Sequence, residues 1–268
     1  YIFNTPKSFK GNHILNPYLL NDSGNWYVAN FHVHSNYWNF TQTKGSSTDL
    51  IKNYKIMNYN VIAISDYMHI NKKNENIENI LYIPAYEHGY GIYKNHHLII
   101  NAKNVNYFDY LFKQNIHFKQ YMIEVLKDDS NLIVINHPRL RNGFTSEEIK
   151  YLKGYDLLEV FNHNWFSEHL WDSALSNGNL IYAIANDDGH DINNPKDIGR
   201  CFNFIYSKNL STYSIVESLK KGNAFFVNLS MNDNETFADK GQHISRLPLP
   251  KSIKINDDTL FIKFNDNN

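Results

Sequence analysis

The sequence is short of cysteine, has no long apolar run and carries no excess of either charge. Cys201 is the single cysteine, which excludes an internal disulfide framework. No apolar run approaches the roughly 20 residues of a membrane-spanning helix, so we expect no membrane span. The net charge of -1 argues against a broad, non-specific nucleic-acid surface, although it is compatible with a local basic pocket.

The rest of the composition is that of a globular chain. Hydrophobic residues make up 42% of the sequence and charged residues 20%, which is typical of a protein with an ample core. The 268 residues suffice for one large domain or two small ones. The first residue is Tyr1 rather than Met, so we expect that a signal peptide or a tag has been removed upstream. We expect a soluble protein that is either cytoplasmic or exported after removal of an N-terminal segment.

Two histidines, His32 and His34, lie two residues apart in an apolar run that predicts a strand. Side chains alternate along a strand, so both imidazoles point to one face, which suits a single metal ion. The pair is weak evidence alone, because most such pairs are core or surface histidines. Later apolar runs also end in acidic or histidine residues, namely Asp66, Glu87, His97, His137, Asp188 and His190. Buried charges are costly unless they are paired or bind a metal, so the recurrence predicts a metal site.

Short apolar runs alternate with stretches of helical periodicity along most of the chain. Strands are expected at 26–34, 61–65, 81–86, 97–101, 132–137, 157–161, 180–185 and 201–206. Helices are expected at 46–57, 105–127, 167–176 and 213–221, with a short one opening at Ser146. This order predicts parallel strands with right-handed crossovers and an α/β barrel, whose site lies at the carboxyl ends of the strands.

The C-terminal end has a different pattern. Apolar and polar residues alternate on both sides of Asp257-Asp258, which predicts a β-hairpin. We therefore divide the chain into an irregular lead-in at 1–25, a barrel at 26–235 and a hairpin extension at 245–268.

Seven segments resemble, in order, the motifs of the PHP (polymerase and histidinol phosphatase) family of metal-dependent phosphoesterases. They are NFHVHS, VIAISDY, YIPAYEHG, HHLIIN, VINHP, LLEVFN and ANDDGH, spanning roughly residues 26–190. Their order and spacing are specific, although no single motif is. The resemblance implies a distorted (β/α)7 barrel and divalent metal ions, Zn, Mn or Fe, that hydrolyse a small phosphomonoester or phosphodiester through a metal-activated water.

The resemblance also implies a ligand set for each metal ion. The ligands of one ion correspond to His32, His34, Glu87 and Asp188. Those of a second ion correspond to Glu87, His97 and His137, with Glu87 bridging the two. His190 matches one ligand of a third ion. His96 could replace His97, but strand alternation allows only one of the two to face the site, and we favour His97.

The sequence departs from the family at two positions. Trp38-Asn39-Phe40 stands where the family has Ser-Asp-Gly, and Tyr67 stands where it has His after Asp66. Both missing residues belong to the third site, so we expect two tightly bound ions and at most a weakly held third. Asp66 remains, and we expect it to accept a hydrogen bond from a ligating histidine.

Other residues near the strand ends could act on the substrate. His163 and His190 are candidates for proton transfer, and His69 or His163 could replace the lost ligand, although a solvated loop histidine is the simpler interpretation of His69. Tyr67 and the arginines that follow strand-end motifs could bind the phosphate, namely Arg139, Arg141 and Arg200. An ordinary structural salt bridge is at least as good an explanation of each arginine.

Three functions fit this pattern. The first is a phosphoesterase with a small phosphorylated substrate and no broad nucleic-acid surface. The second is a binding protein on a catalytically decayed barrel, which the altered third site favours and the intact first two sites oppose. The third is a metal-dependent hydrolase of C–N or C–O bonds, because fold does not fix function.

Overall fold

A computed structural model describes residues 3–11, 14–18, 24–38, 41–72, 79–229, 234–256 and 259–264. The helices are α1 (Ser47–Ile56), α2 (Ile116–Leu126), α3 (Ser146–Ile149), α4 (Glu168–Ser176), α5 (Thr212–Lys220) and α6 (Phe237–Arg246), and a 3-10 turn covers Leu140–Asn142. The first strands are β1 (Asn25–Asn30), β2 (Val61–Ile62), β3 (Leu81–Tyr82), β4 (Ala85–His88), β5 (His97–Ile100), β6 (Leu132–Ile135) and β7 (Leu157–Asn162). The later strands are β8 (Trp165–Phe166), β9 (Tyr182–Asn186), β10 (Cys201–Ser207), β11 (Ala224–Asn228), β12 (Pro250–Asn256) and β13 (Thr259–Phe264).

These strands form two large sheets and one hairpin. The first sheet has five strands in the order β11-β10-β1-β2-β3, and the second has the order β4-β5-β6-β7-β8 with β9 paired to β7. Pairing is parallel at β1–β2, β2–β3, β6–β7 and β7–β9. It is antiparallel at β1–β10, β10–β11, β4–β5 and β5–β6. Strands β12 and β13 form a separate antiparallel hairpin, as the alternating pattern predicted.

The predicted distorted (β/α)7 barrel is wrong for this structure. Within the described ranges neither large sheet closes on itself, and the strand order is not that of a barrel of parallel strands. The physical reason lies in the connections, because β4 and β5 are joined by residues 89–96 with no helix between them. A parallel pair needs a crossover of a dozen or more residues, whereas a short connection makes neighbouring strands antiparallel.

Side-chain caps determine where several helices begin. Ser46 accepts a hydrogen bond from the Asp49 amide at the start of α1. The helix predicted at 105–127 is shorter than expected, because Asn115 caps α2 and the preceding residues are irregular. Helix α6 was not predicted; Thr236 and Asp239 form a reciprocal capping box at its start.

One apolar cluster contains residues of both large sheets and packs them against each other. It joins Phe31 and Ala63, which directly follow β1 and β2, to Leu98, Val134 and Ile184 of the second sheet. Isolated parallel bridges link Val33 to Gly189 and Tyr67 to Glu87 of β4. These bridges bring together the segments that carry the conspicuous histidines and carboxylates. Among the described helices, none has the length and apolar character needed to cross a membrane.

Candidate metal centre

Four predicted ligands converge at one point above the shared core. The Nε2 atoms of His32 and His34 each lie 3.2 Å from Asp188 Oδ1. Their distances to Glu87 Oε2 are 3.4 and 3.2 Å. All four groups offer a ligand atom within 4.8 Å of the others, and we call them the first group.

The spacing of the first group matches that of ligands around one ion. Four ligands at about 2.0–2.1 Å in a tetrahedron lie about 3.3 Å from one another. The facing atoms of His32, His34, Glu87 and Asp188 are buried and have no hydrogen-bond partner. Buried polar atoms without partners are costly, so their clustering is best explained by a cation that satisfies them together. The residues present therefore fit a divalent metal ion.

A second group shares Glu87 with the first. The second group consists of Glu87, His96 and His137. The other carboxylate oxygen of Glu87, Oε1, lies 2.7 Å from His96 Nδ1 and 2.9 Å from His137 Nε2. The Nε2 atom of His96 faces the Gly91 carbonyl at 3.1 Å, and a carbonyl only accepts, so Nε2 carries the hydrogen. A neutral His96 then directs a lone pair at a carboxylate oxygen. That arrangement is unfavourable unless a proton or a metal ion lies between them.

The preference for His97 over His96 is corrected here. His96, and not His97, belongs to the second group. The His97 ring packs instead against Phe144 and His88, with centroids 5.8 and 6.3 Å away. Strand alternation does direct His96 and His97 to opposite sides, as expected, but it is His96 that faces the site.

Glu159 holds ligands of both groups in position, and its role was not predicted. Its Oε1 lies 3.0 Å from His32 Nδ1, and its Oε2 accepts a hydrogen bond of 2.8 Å from the His137 amide. Asn162 and Asn186 donate to the same carboxylate. The contact with Nδ1 leaves Nε2 of His32 as the ligand atom, which is the usual arrangement of a metal-binding histidine. The signal in the sequence was a carboxylate inside the apolar run LLEVFN.

Two ligands adopt backbone conformations that are rare for residues other than glycine. The φ angle is 25° at His137 and 49° at Asp188. The Asp188 amide donates to the His32 carbonyl at 2.8 Å, which fixes the turn after β9 against the end of β1. Strained residues of this kind concentrate at functional sites, where surrounding contacts hold them in place.

The charges of the first group depend on one another. Burial alone would lower the pKa of His32, but the carboxylates of Asp188, Glu159 and Glu87 raise this pKa well above its usual value. Burial would lower the pKa of His34 as well, but the neighbouring carboxylates of Asp188 and Glu87 raise it above its usual value. Burial acts to raise the pKa values of Glu87 and Asp188, yet the neighbouring histidines hold both well below the usual range.

The predicted partners of a third ion are only partly present. The His190 ring packs against His34 at a tilt of 34° with centroids 4.4 Å apart, and Tyr67 stacks on the same His34 ring at 4.5 Å. The His190 Nδ1 atom lies 2.8 Å from the Asp188 carbonyl, which leaves Nε2 as the free ring nitrogen. Asn39 lies outside the described residues. The number of ions therefore stays a prediction.

Asp66 and two further histidines have other contacts than expected. Both carboxylate oxygens of Asp66 accept 2.7 Å hydrogen bonds from the amide and hydroxyl of Ser35, not from a histidine that bears a ligand atom. His163 faces Asp197, with Nδ1 3.9 Å from Oδ1. His69 stacks on Tyr37 with ring centroids 3.5 Å apart, and neither His69 nor His163 belongs to the two ligand groups.

Of the predicted phosphate-binding residues, Tyr67 lies beside the metal centre, whereas the side chains of Arg139 and Arg200 donate hydrogen bonds to other parts of the chain. Arg139 donates to the Phe166 carbonyl, and Arg200 donates to Asn164 and Asn228. A cavity of about 620 Å³ opens beside the ligand groups and is lined by Tyr67, His96, His190, Lys94 and Arg141. Lys94 was not predicted, because it lies in an irregular segment without a motif.

Eight chains of solved structures resemble this fold. One is a two-domain protein from Bacteroides vulgatus that contains a predicted PHP-like metal-dependent phosphoesterase, at 15% identity and a TM-score of 0.54, covering 83% of this chain and 70% of that one. Endonuclease Q in complex with a 27-mer duplex has 17% identity and a TM-score of 0.48, and Endonuclease Q from Pyrococcus furiosus has 17% and 0.44. Each endonuclease match covers 73% of this chain, which spans 56% of the endonuclease. A scan against protein-family models and a search of curated proteins gave no match.

The resemblance to the PHP family is thus confirmed at the level of the fold. Within this fold, the two ligand groups fit divalent metal ions.

The expectation of a small phosphorylated substrate and no nucleic-acid surface is contradicted and is withdrawn. Endonuclease Q, one of the similar structures, is in complex with a DNA duplex. The expectation rested on the net charge of -1, which averages over the whole chain. An average charge cannot exclude a local surface for a polyanion.

Proposed function

We propose that this chain is a metal-dependent hydrolase of phosphate esters, with two divalent ions held by the first and second groups. The observation that carries the proposal is the set of four buried, unpartnered ligand atoms in the first group, where each histidine Nε2 lies 3.2–3.4 Å from each carboxylate oxygen. A histidine and carboxylate ligand set suits Zn, Mn or Fe. A decayed binding protein would have no need to keep such costly atoms facing one another.

Glu87, Glu159 and Asp188 have different roles in holding the metal ions. Glu87 presents Oε2 to the first group and Oε1 to the second, so one carboxylate ties the two together. Glu159 orients His32, and the backbone contact of Asp188 keeps its carboxylate beside that ring. When bound, the ions supply Lewis acidity toward a phosphoryl oxygen and lower the pKa of a water to near neutrality.

His190 and Tyr67 are the proposed groups that act on the substrate directly. Burial and the neighbouring His34 lower the pKa of His190, so its ring is neutral at pH 7 and Nε2 can accept a proton there. Burial raises the pKa of Tyr67 well above its usual value, so its hydroxyl keeps its proton and can donate a hydrogen bond to a phosphate oxygen. Both rings border the 620 Å³ cavity, from which a substrate can reach them.

The test combines metal content with hydrolysis of an aryl phosphate ester. We expect two tightly bound ions per chain and turnover that is lost after chelation. Glu87→Gln should lower the metal content of both groups and reduce turnover by at least about 100-fold, because the amide keeps the shape but loses the charge.

The matched control for this substitution is Glu168→Gln, which makes the same change at an exposed position of α4. It should leave metal content and turnover unchanged. Bound metal without phosphate ester hydrolysis would point to C–N or C–O bonds, and a folded chain that binds no metal would contradict the proposal. Full metal content and turnover in folded Glu87→Gln would disprove the bridging role.

A further inference from the structure

The cavity beside the metal centre adjoins a second cavity of about 730 Å³. Tyr107 lines both cavities. They also adjoin along the chain, since Tyr37 lines one and Trp38 the other, and His69 lines one and Met68 the other. We call the two together the cationic groove.

The groove is lined by basic side chains in both halves. Lys94 and Arg141 line the half that opens on the metal centre, and Lys72 and Lys103 line the other half. Among the described residues lining the groove, there is no aspartate or glutamate. This one-sided charge contrasts with the net charge of -1 of the chain, and it makes the groove attractive to an anion with several charges.

Aromatic rings are exposed along the same groove. Tyr37, Trp38, Tyr90 and Tyr107 are 47%, 37%, 52% and 66% exposed, and all four line it. Large aromatic side chains are costly to leave in water, so four of them on one path indicate a surface that planar groups cover. The Trp38 indole is held in place by a 2.7 Å hydrogen bond from Nε1 to the Tyr67 carbonyl.

The inner end of the groove meets the reacting groups. Lys94 Nζ lies 3.5 Å from the Tyr67 hydroxyl and 5.5 Å from the centre of its ring. Tyr67 in turn stacks on His34 of the first group. Arg141 is fixed nearby through its donation to the Ile92 carbonyl at 3.0 Å. A phosphate seated between Lys94 and Arg141 would therefore lie next to the metal centre.

We propose that the cationic groove binds a single strand of nucleic acid and presents one of its phosphates to the metal centre. This inference rests on the proposed phosphate ester hydrolysis and specifies its substrate class. Basic residues spaced along a groove with exposed aromatic rings suit a strand whose backbone carries charge and whose bases stack. A single small phosphate would use only the inner half, and it would leave Lys72, Lys103 and the outer rings without a function.

The test measures binding separately from hydrolysis. A short, fluorescein-labelled oligothymidylate with phosphorothioate linkages resists cleavage, and its binding to the metal-loaded protein is followed by anisotropy over a range of salt concentrations. The double substitution Lys72→Gln and Lys103→Gln should reduce the slope of log K against log salt by about 1.4, since each lost contact to a single strand removes about 0.7. Tyr107→Ala should weaken binding at least about fivefold, because it removes a stacking surface.

The control is the double substitution Lys220→Gln and Lys221→Gln, which removes two lysines paired with Glu217 on α5, outside the groove. It should leave affinity and salt slope unchanged. Competition by inorganic polyphosphate equal to that of the strand, together with no effect of Tyr107→Ala, would overturn the inference in favour of a simple charge site. Hydrolysis of the aryl ester without strand binding at low salt would overturn it and leave the proposed function intact. Strand binding that follows the predicted variant pattern without any hydrolysis would support the groove and contradict the proposed function.

Discussion

At the scale of single residues, Glu159 connects the ligands of both groups through one carboxylate. One of its oxygens faces His32 Nδ1 and the other accepts from the His137 amide. Neither contact touches a substrate, so Glu159 is a positioning residue. It sets which nitrogen of His32 is available to a metal ion and where the backbone turns at His137.

Substitution of Glu159 by Gln should weaken the first group selectively. The amide keeps the size of the side chain, but it is a poorer acceptor for His32 Nδ1, so we expect a 10- to 100-fold lower metal affinity. Affinity is measured by competition with a chelator. Excess metal should restore turnover, which a simple loss of folding would not allow. Unchanged affinity in a folded variant would contradict the positioning role, and Glu168→Gln is again the matched control.

At the scale of elements, β5 decides which of two adjacent histidines can act. His96 precedes the first residue of the strand and reaches Glu87, whereas His97 points to the opposite side. The sequence predicts that side chains alternate along this strand, but it does not predict which of the two histidines faces the metal centre. Both histidines are almost fully buried, at 2% and 0% exposure, so neither burial nor the surrounding apolar residues distinguish them.

Matched substitutions of His96 and His97 test which of the two is the metal ligand. His96→Leu should remove the metal of the second group and reduce turnover at least about 100-fold. His97→Leu should keep both metals, and its melting temperature should be unchanged or higher, because neither ring nitrogen of His97 has a hydrogen-bond partner. Metal analysis and thermal unfolding of both variants provide the comparison. Loss of metal in His97→Leu alone would reverse the assignment.

The connections between elements explain why the fold was only partly predictable. The apolar runs that became β5, β6, β7 and β10 were visible in the sequence, and so was the hairpin of β12 and β13. The direction of pairing was not, since an apolar run looks the same in parallel and antiparallel sheets. The stretch from Gly89 to His96 was the available signal, because it is too short for a helical crossover. The ligands converge despite the error, since their placement depends on which strands are neighbours and less on strand direction.

At the scale of the whole molecule, the metal centre and the shared core depend on each other. The two sheets pack around one apolar cluster, and the first group takes ligands from segments that belong to both. A metal ion that binds only the folded chain stabilises it by mass action. Without the ion, protons on the imidazoles must neutralise the negative charge of the carboxylates.

The sign of the pH dependence follows from the pKa values of His32 and His34. Both are raised above the ordinary value of 6.5, and both rings must lose their protons at the ligand nitrogens to bind a metal. The stability that these protonated rings give the metal-free protein is fully present below about pH 6.5, and it is lost as the pH rises through their folded pKa values. Histidines with lowered pKa values, such as His97 and His190, are neutral in both states above pH 7 and do not oppose this trend.

The gain in melting temperature on metal binding should therefore be larger at pH 8 than at pH 7. Each proton displaced by the ion contributes about 1.4 kcal/mol per pH unit, or about 2–4 °C for a chain of this size. Comparing metal-loaded with chelated protein at each pH cancels groups that titrate in both forms, including Lys240, whose pKa burial lowers to about 8. Differential scanning fluorimetry at constant ionic strength measures the two gains. Equal gains at both pH values, or a larger gain at pH 7, would show that His32 and His34 do not hold displaceable protons, and the charge balance of the first group would have to come from its carboxylates instead.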